Sequence, residues 1–116
     1  MSMMFQKLPP IEDRRLTRAA KGQTCIRCGT NDGTVCACHY NGFRAYSYGK
    51  GRGVKCGDIF VADFCRACDD LFSEANYHRW DGGSQSVERS EEFQHWVLKT
   101  IERRVRDGVL TTGRKT

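Results

Sequence analysis

Two Cys-x-x-Cys pairs, Cys25-Ile-Arg-Cys28 and Cys65-Arg-Ala-Cys68, stand 36 residues apart and offer four thiolates from two compact turns. A tetrahedral Zn²⁺ takes sulfur ligands at ~2.3 Å and needs them brought together from two such turns. The pattern predicts one structural zinc held by Cys25, Cys28, Cys65 and Cys68. A thioredoxin-like redox pair would need only one such motif, after a buried strand. A zinc closed by four cysteines has no open position, so any reaction falls to other residues.

Those residues are His39, Asp58, Asp69 and Asp70. They converge if the segments that carry them fold back as strand, loop, strand and helix. In such a ββα unit a histidine is the general base on a water that attacks phosphorus, while a divalent ion held by helix-borne groups stabilises the developing negative charge. The competing reading leaves His39 as a hydrogen-bonding residue at a strand end and the Asp pair as charges favouring a helix N-terminus. Cys36 and Cys38 read as small, buried strand side chains on one face, with metal binding weighed only for Cys56. His78 and His95 read as surface or packing residues, and Trp80 and Trp96 as core.

Positioning this chemistry requires a particular order of elements. Residues 1–10 read as a disordered lead ending at Pro9-Pro10, and residues 11–20 as a short helix with Arg14, Arg15 and Arg18 on a basic face. The β-branched and aromatic run 34–40 predicts a strand ending near His39. Residues 41–57, with five glycines interleaved with Arg44, Lys50, Arg52 and Lys55, predict a mobile basic loop. A second strand over 58–64 leads through the second Cys-x-x-Cys into a helix over 69–80. After a Gly-Gly turn, Phe93, Trp96, Val97, Ile101 and Val105 recur at helical steps, predicting a long helix over 87–106. A short strand over 109–112 and a basic tail over 113–116 complete the expectation. The fold class is α+β: one small zinc-knuckle domain over 11–112, with a ββα core and a long C-terminal helix.

At 116 residues the chain is one domain's worth with a limited core, which a metal cross-link would support. The odd count of seven cysteines and the lack of a signal-peptide pattern argue against a disulfide framework. No stretch approaches the ~20 apolar residues of a membrane span, so the expectation is a soluble cytoplasmic protein with no membrane partner. The net charge of +5 is uneven: +6 over residues 1–60, −5 over 61–92 and +4 over 93–116. Basic ends suit a polyanion such as DNA and an acidic middle suits a divalent cation, although an ordinary solvated surface carries the same charges.

Beyond these physical readings, the chain resembles the YbcO-like nucleases of phages and prophages, from about Arg14 to Phe72 and more loosely through the last helix. The resemblance rests on Arg15-Leu16-Thr17, Ala20 to Cys25, Cys38-His39, Gly49 to Lys55 with Asp58-Ile59-Phe60, and Cys65 to Asp70. It implies an HNH-like, ββα-metal nuclease with a structural zinc, acting on DNA or on recombination intermediates in a bacterial host cytoplasm. Carried over by position, the four knuckle cysteines match the zinc ligands, His39 matches the catalytic histidine, and Lys55 and Asp58 match a Lys-x-x-Asp pattern. Two departures stand out. The first knuckle has a two-residue spacer where relatives often have a longer one, and Asp69 replaces a histidine expected to bind the catalytic cation. A carboxylate there suits Mg²⁺ or Mn²⁺.

The expected function is a metal-dependent DNA endonuclease or structure-selective nuclease of phage or prophage origin, acting in recombination, with DNA, branched or single-stranded forms included, as its partner. His39 is its base, Asp69 with Asp58 or Asp70 its cation ligands, and Arg44, Lys50, Arg52 and Lys55 its phosphate contacts. The alternative is a non-catalytic zinc-knuckle DNA-binding protein that assists recombination. A third reading is an adaptor or homodimer paired through the apolar stripe of the last helix.

Overall fold

The computed structural model describes residues 9–51 and 53–113; the phosphate contact expected of Arg52, most of the lead (1–8) and most of the basic tail (114–116) lie outside them. Helix α1 (Arg14–Arg18) starts where Asp13 caps it, its carboxylate accepting from the Arg15 backbone N–H. The helix is shorter than the expected 11–20 because extended backbone persists to Asp13. Arg14, Arg15 and Arg18 are exposed, as the basic face required.

Strands β1 (Cys36–His39) and β2 (Val61–Phe64) form a two-stranded antiparallel sheet in which Cys36 faces Phe64 and His39 faces Val61. Both are shorter than the predicted runs. Asp58 to Phe60 make a tight turn closed by Phe60 N–H donating to the Gly57 carbonyl, and only then does the chain enter β2. The connection between the strands is more structured than a plain loop. It contains a 3₁₀ turn over Ala45–Tyr48 and an isolated bridge between Gly51 and Val54. Two glycines are required here by geometry. A Cβ on Gly49, at φ +103°, would lie 2.8 Å from the Pro10 side chain, and one on Gly42 would overlap the Tyr40 ring.

Helix α2 (Arg66–Phe72) begins inside the second knuckle, three residues earlier than expected, and stops at Ser73, whose backbone is extended. The predicted continuation to Trp80 is instead a kinked 3₁₀ segment, Glu74–Arg79. Helix α3 (Val87–Arg106) has the predicted extent; Ser86 caps it by accepting from Arg89 N–H. No strand follows it among the described residues. Val109 and Leu110 both donate their N–H groups to the Arg104 carbonyl, which closes the helix and leaves nothing for a sheet.

The core lies between the sheet, α2 and α3. Phe64 stacks on Phe72 at 5.1 Å between centroids, and Phe93 of α3 meets Phe72 at 5.0 Å and Tyr40 at 5.3 Å. The α3 stripe is therefore largely consumed inside the chain: Phe93 and Val97 are buried, and Trp96 and Ile101 pack against the same cluster. Trp80 also belongs to this packing, with its indole N–H donating to the Leu71 carbonyl.

A buried ion cluster fixes α3 to β2. Asp63 is fully buried and takes a bidentate bond from Arg104 at 2.7 and 2.6 Å, with Arg103 at 3.2 Å on the outer side. Arg104 also donates to the Leu16 carbonyl, tying α1 to the same point. Among the described residues, no helix is long and apolar enough to cross a membrane.

Candidate metal centre and adjoining cleft

The first knuckle is a turn in which Gly29 N–H donates to the Cys25 carbonyl and Cys25 N–H to the Thr30 carbonyl. Ile26 N–H donates to the Asp63 carbonyl at 2.7 Å, which pins the turn beside β2 and hence beside Cys65, two residues later. The second knuckle is the entry to α2, where helical geometry carries Cys68 round to the side of Cys65.

The result is one cluster: the sulfurs of Cys25, Cys28, Cys65 and Cys68 lie within 4.8 Å of one another. Sulfurs at ~2.3 Å from a tetrahedral zinc sit about 3.8 Å apart. The Cys28 and Cys65 sulfurs are 3.6 Å apart. Number, donor type and spacing thus fit a structural zinc, whose ligands would be the four cysteines predicted. Cys25, Cys65 and Cys68 are buried and Cys28 is exposed.

Burial and hydrogen bonding shift the cluster's thiols in opposite directions. Burial pushes the Cys68 thiol up to about 12, against the pull of Arg27, and burial likewise raises Cys65. Cys25 moves the other way, to about 6: burial pushes it up, but backbone N–H groups of Cys28, Cys65 and Arg27 outweigh that push. Arg27 Nη1 lies 3.6 Å from the Cys68 sulfur, and its Nε donates to Glu92 at 2.6 Å. Glu92 in turn accepts from the Trp96 indole at 3.1 Å. A hydrogen-bonded chain therefore runs from α3 to a candidate zinc ligand, the kind of outer support that holds metal ligands in place.

On the other side of β1 and α2 lies an open cleft of about 300 Å³. Cys36, Cys38, His39, Lys50, Lys55, Asp69 and Glu74 line it. His39 is at its edge and also lines a neighbouring groove with Lys55 and Asp58. The His39 Nε2 and Asp58 Oδ1 are 2.8 Å apart, and Asp58 Oδ2 accepts from the Asp13 N–H at 2.7 Å. Asp58 is thus held from the N-terminal segment and holds His39 in turn. Lys55 is exposed, and Lys50 lies 3.7 Å from Glu74.

No family model, curated protein or solved structure matches this chain.

The predicted reactive residues assemble only in part. His39, Asp58, Lys50 and Lys55 come together at the cleft and its neighbouring groove, and Asp69 lies in the cleft wall. Neither Asp58 nor Asp70 joins Asp69 in a cluster of three or more donors among the described residues. Asp58 is engaged by His39 and Asp13, and Asp70 is exposed, its carbonyl capping the end of α2 by accepting from Asn76 and Ser73. Asp69 stands instead beside Cys36 and Cys38, with the three donor atoms within 4.8 Å of one another. Arg44 is exposed at the loop surface.

Cys36 and Cys38 do share one face, as alternation on a strand dictates, but the expected burial fails: Cys36 is exposed and Cys38 half-buried. The Cys38 thiol is pushed up by burial and by the Asp69 carboxylate and Cys36 beside it. Cys56 is the buried one. Its thiol donates to the Tyr40 and Ala45 carbonyls and joins neither donor cluster. His78 and His95 are exposed, and His95 lies edge-on to Trp96.

Two surface residues were not foreseen from the sequence. Phe43 and Tyr46 flank Arg44 and are 49% and 68% exposed, so two aromatic rings stand open beside basic side chains. The alternation of aromatic and basic residues over Phe43-Arg44-Ala45-Tyr46 is the signal that could have found them.

Proposed function

We propose that the chain is a zinc-stabilised DNA endonuclease of phage or prophage origin, built on a ββα-metal core like that of the YbcO-like nucleases and working in a bacterial cytoplasm. The observation that carries the reading is the His39–Asp58 pair, 2.8 Å apart, at the edge of a cleft lined by Lys50, Lys55 and Asp69. With Asp58 as a carboxylate, the shared proton sits on His39 Nε2, which leaves Nδ1 with the lone pair a general base needs.

In this reading His39 takes a proton from water, the resulting hydroxide attacks phosphorus, and the bond from phosphorus to the leaving oxygen breaks. Lys50 and Lys55 hold the flanking phosphates. A divalent cation at Asp69 would supply charge stabilisation to the reacting phosphate. Branched or single-stranded DNA is the preferred substrate class, because the exposed Phe43 and Tyr46 rings could stack only on unpaired bases.

Those same rings support a second reading, a non-catalytic zinc-knuckle protein that binds DNA during recombination, since stacking and phosphate contact need no second metal. One assay separates the two. Zinc-loaded protein is incubated with single-stranded, duplex and branched DNA in the presence of Mg²⁺, Mn²⁺ or additional Zn²⁺, with His39→Ala alongside. Cleavage that disappears in the variant, with zinc content and fold retained, is the expected outcome. Salt-sensitive binding without cleavage under every metal condition would favour the accessory protein, and equal cleavage by the variant would remove His39 from the mechanism.

A further inference from the structure

Asp69 does not face the cleft alone. Cys36 and Cys38 occupy alternate positions on β1, so their side chains leave the same face of the strand, and their sulfurs are 3.7 Å apart. That separation matches the 3.6 Å between Cys28 and Cys65 in the four-cysteine cluster, and both match the edge of a zinc–sulfur tetrahedron, about 3.8 Å. The third corner is a carboxylate oxygen of Asp69 within 4.8 Å of both sulfurs. The placement is anchored: Arg66 N–H donates to Thr34 Oγ1 at 2.9 Å, joining the start of α2 to the segment just before β1.

We propose that Cys36, Cys38 and Asp69 form a second zinc site, distinct from the four-cysteine centre, with its fourth position open to the cleft. Three protein donors and one free position are the arrangement of zinc sites that bind water or substrate, whereas four cysteines close the coordination sphere. Two thiolates select a thiophilic ion such as Zn²⁺ over Mg²⁺ or Mn²⁺, which prefer oxygen donors. Among the described residues no salt bridge engages Asp69, and Lys50, one of two lysines lining the cleft, is engaged with Glu74. The open position faces the cleft that His39, Lys50 and Lys55 share, so a phosphate oxygen or a water is the ligand of matching chemistry. Binding of the ion stands on these donors alone; its use in phosphodiester hydrolysis rests on the nuclease reading.

The test is zinc stoichiometry on the full chain under reducing conditions, with zinc alone as the probe. Metal-free protein is titrated with Zn²⁺ against a chromophoric chelator, and the titration is repeated with Co²⁺, whose sulfur charge-transfer and ligand-field bands report donor number and geometry. The expected result is about two equivalents of zinc per chain, the weaker of them lost in the Cys36→Ser/Cys38→Ser double variant and weakened about tenfold or more in Asp69→Asn. The first equivalent and the far-ultraviolet circular dichroism should persist in both variants. Should the double variant fail to fold, Asp69→Asn and the wild-type stoichiometry still decide. One equivalent in the wild-type protein, or two strong equivalents in the variants, would overturn the site. Because the readout is metal content, a protein that takes two zinc ions and cuts no DNA would sink the nuclease reading and leave the site standing, while a protein that cuts DNA with one zinc would do the reverse.

Discussion

Cys68 and Asp69 are consecutive residues of α2 that serve two different donor clusters. The Cys68 sulfur groups with Cys25, Cys28 and Cys65, whereas the Asp69 carboxylate groups with Cys36 and Cys38. Successive helical residues point about 100° apart, so one turn can present a ligand to the knuckle and the next residue to the face of β1. The helix start that completes the structural centre therefore also sets the position of the cleft carboxylate. Anything that loosens the four-cysteine cluster should loosen Asp69 as well.

Removing the structural zinc should unfold the domain. Among the described residues the sheet has two strands, and the first knuckle meets the second through the cluster, the Arg27–Cys68 contact and the Ile26–Asp63 backbone bond. Structural zinc contributes roughly 10–16 kcal/mol of binding free energy at neutral pH, comparable to the total stability of a typical domain. Chelation, or Cys65→Ser, should abolish the cooperative thermal transition followed by circular dichroism. A transition retained within a few degrees would show that the core stands without metal.

The Arg27–Glu92–Trp96 chain makes a pH-dependent contribution. Partial burial pushes the Glu92 carboxyl up, but the bonds from Arg27 and Trp96 outweigh this and hold it below its ordinary value. A depressed folded-state pKa contributes stability that is fully present above the unfolded value, near ~4.3, and is lost as pH falls through the folded value. Glu92→Gln should therefore cost about 1 kcal/mol at neutral pH, discounted for the pair's partial exposure, and its stability should converge with wild type in acid. Urea unfolding of both proteins over the pH range in which the four-cysteine metal is retained would check this, the gap staying constant while pH exceeds the unfolded value and narrowing as it falls below it; a gap that widens toward acid would reverse the sign.

Asp63 answers to two arginines that engage no other carboxylate among the described residues, and it is fully buried. Removing one partner of a buried pair costs roughly 3–5 kcal/mol because the other charge is left uncompensated. Asp63→Ala should lose about that much stability in denaturant unfolding of the zinc-loaded protein, with zinc still bound. A loss under about 1 kcal/mol would mean that water readily solvates Arg104 in the variant.

DNA binding should depend on the exposed rings as well as on charge. Base stacking on an aromatic side chain is worth roughly 1–3 kcal/mol, so Phe43→Ala/Tyr46→Ala should weaken single-stranded DNA binding at least tenfold, with little change for duplex. Lys50→Ala/Lys55→Ala should instead lower the slope of log K against log salt by about one for each phosphate no longer neutralised, on either form. Fluorescence anisotropy over a salt series distinguishes the two; equal weakening on single strands and duplex from the ring variant would rule out stacking.

The sequence by itself determined the features whose cause is local. The two Cys-x-x-Cys turns announced a shared cluster because their donor type and spacing serve little else, and the 3.6-residue apolar period of α3 placed its span correctly from Val87 to Arg106. His39 at the end of β1 followed from the β-branched run before it. Contacts between distant segments were decided only by the tertiary structure. Asp58 and Asp70 stood as alternative companions of Asp69 in the sequence, and the fold gives Asp58 to His39 and leaves Asp70 in solvent. Cys36 and Cys38 read as buried strand residues because cysteine usually is, but the packing of the elements leaves both lining an open cleft. Asp63 read as an ordinary strand residue until α3 brought Arg103 and Arg104 onto it from about forty residues away. Periodicity and motif spacing report what a residue's neighbours in the chain require of it; its partner across the fold depends on how the elements pack, and that free energy is shared among the whole core rather than written at one position.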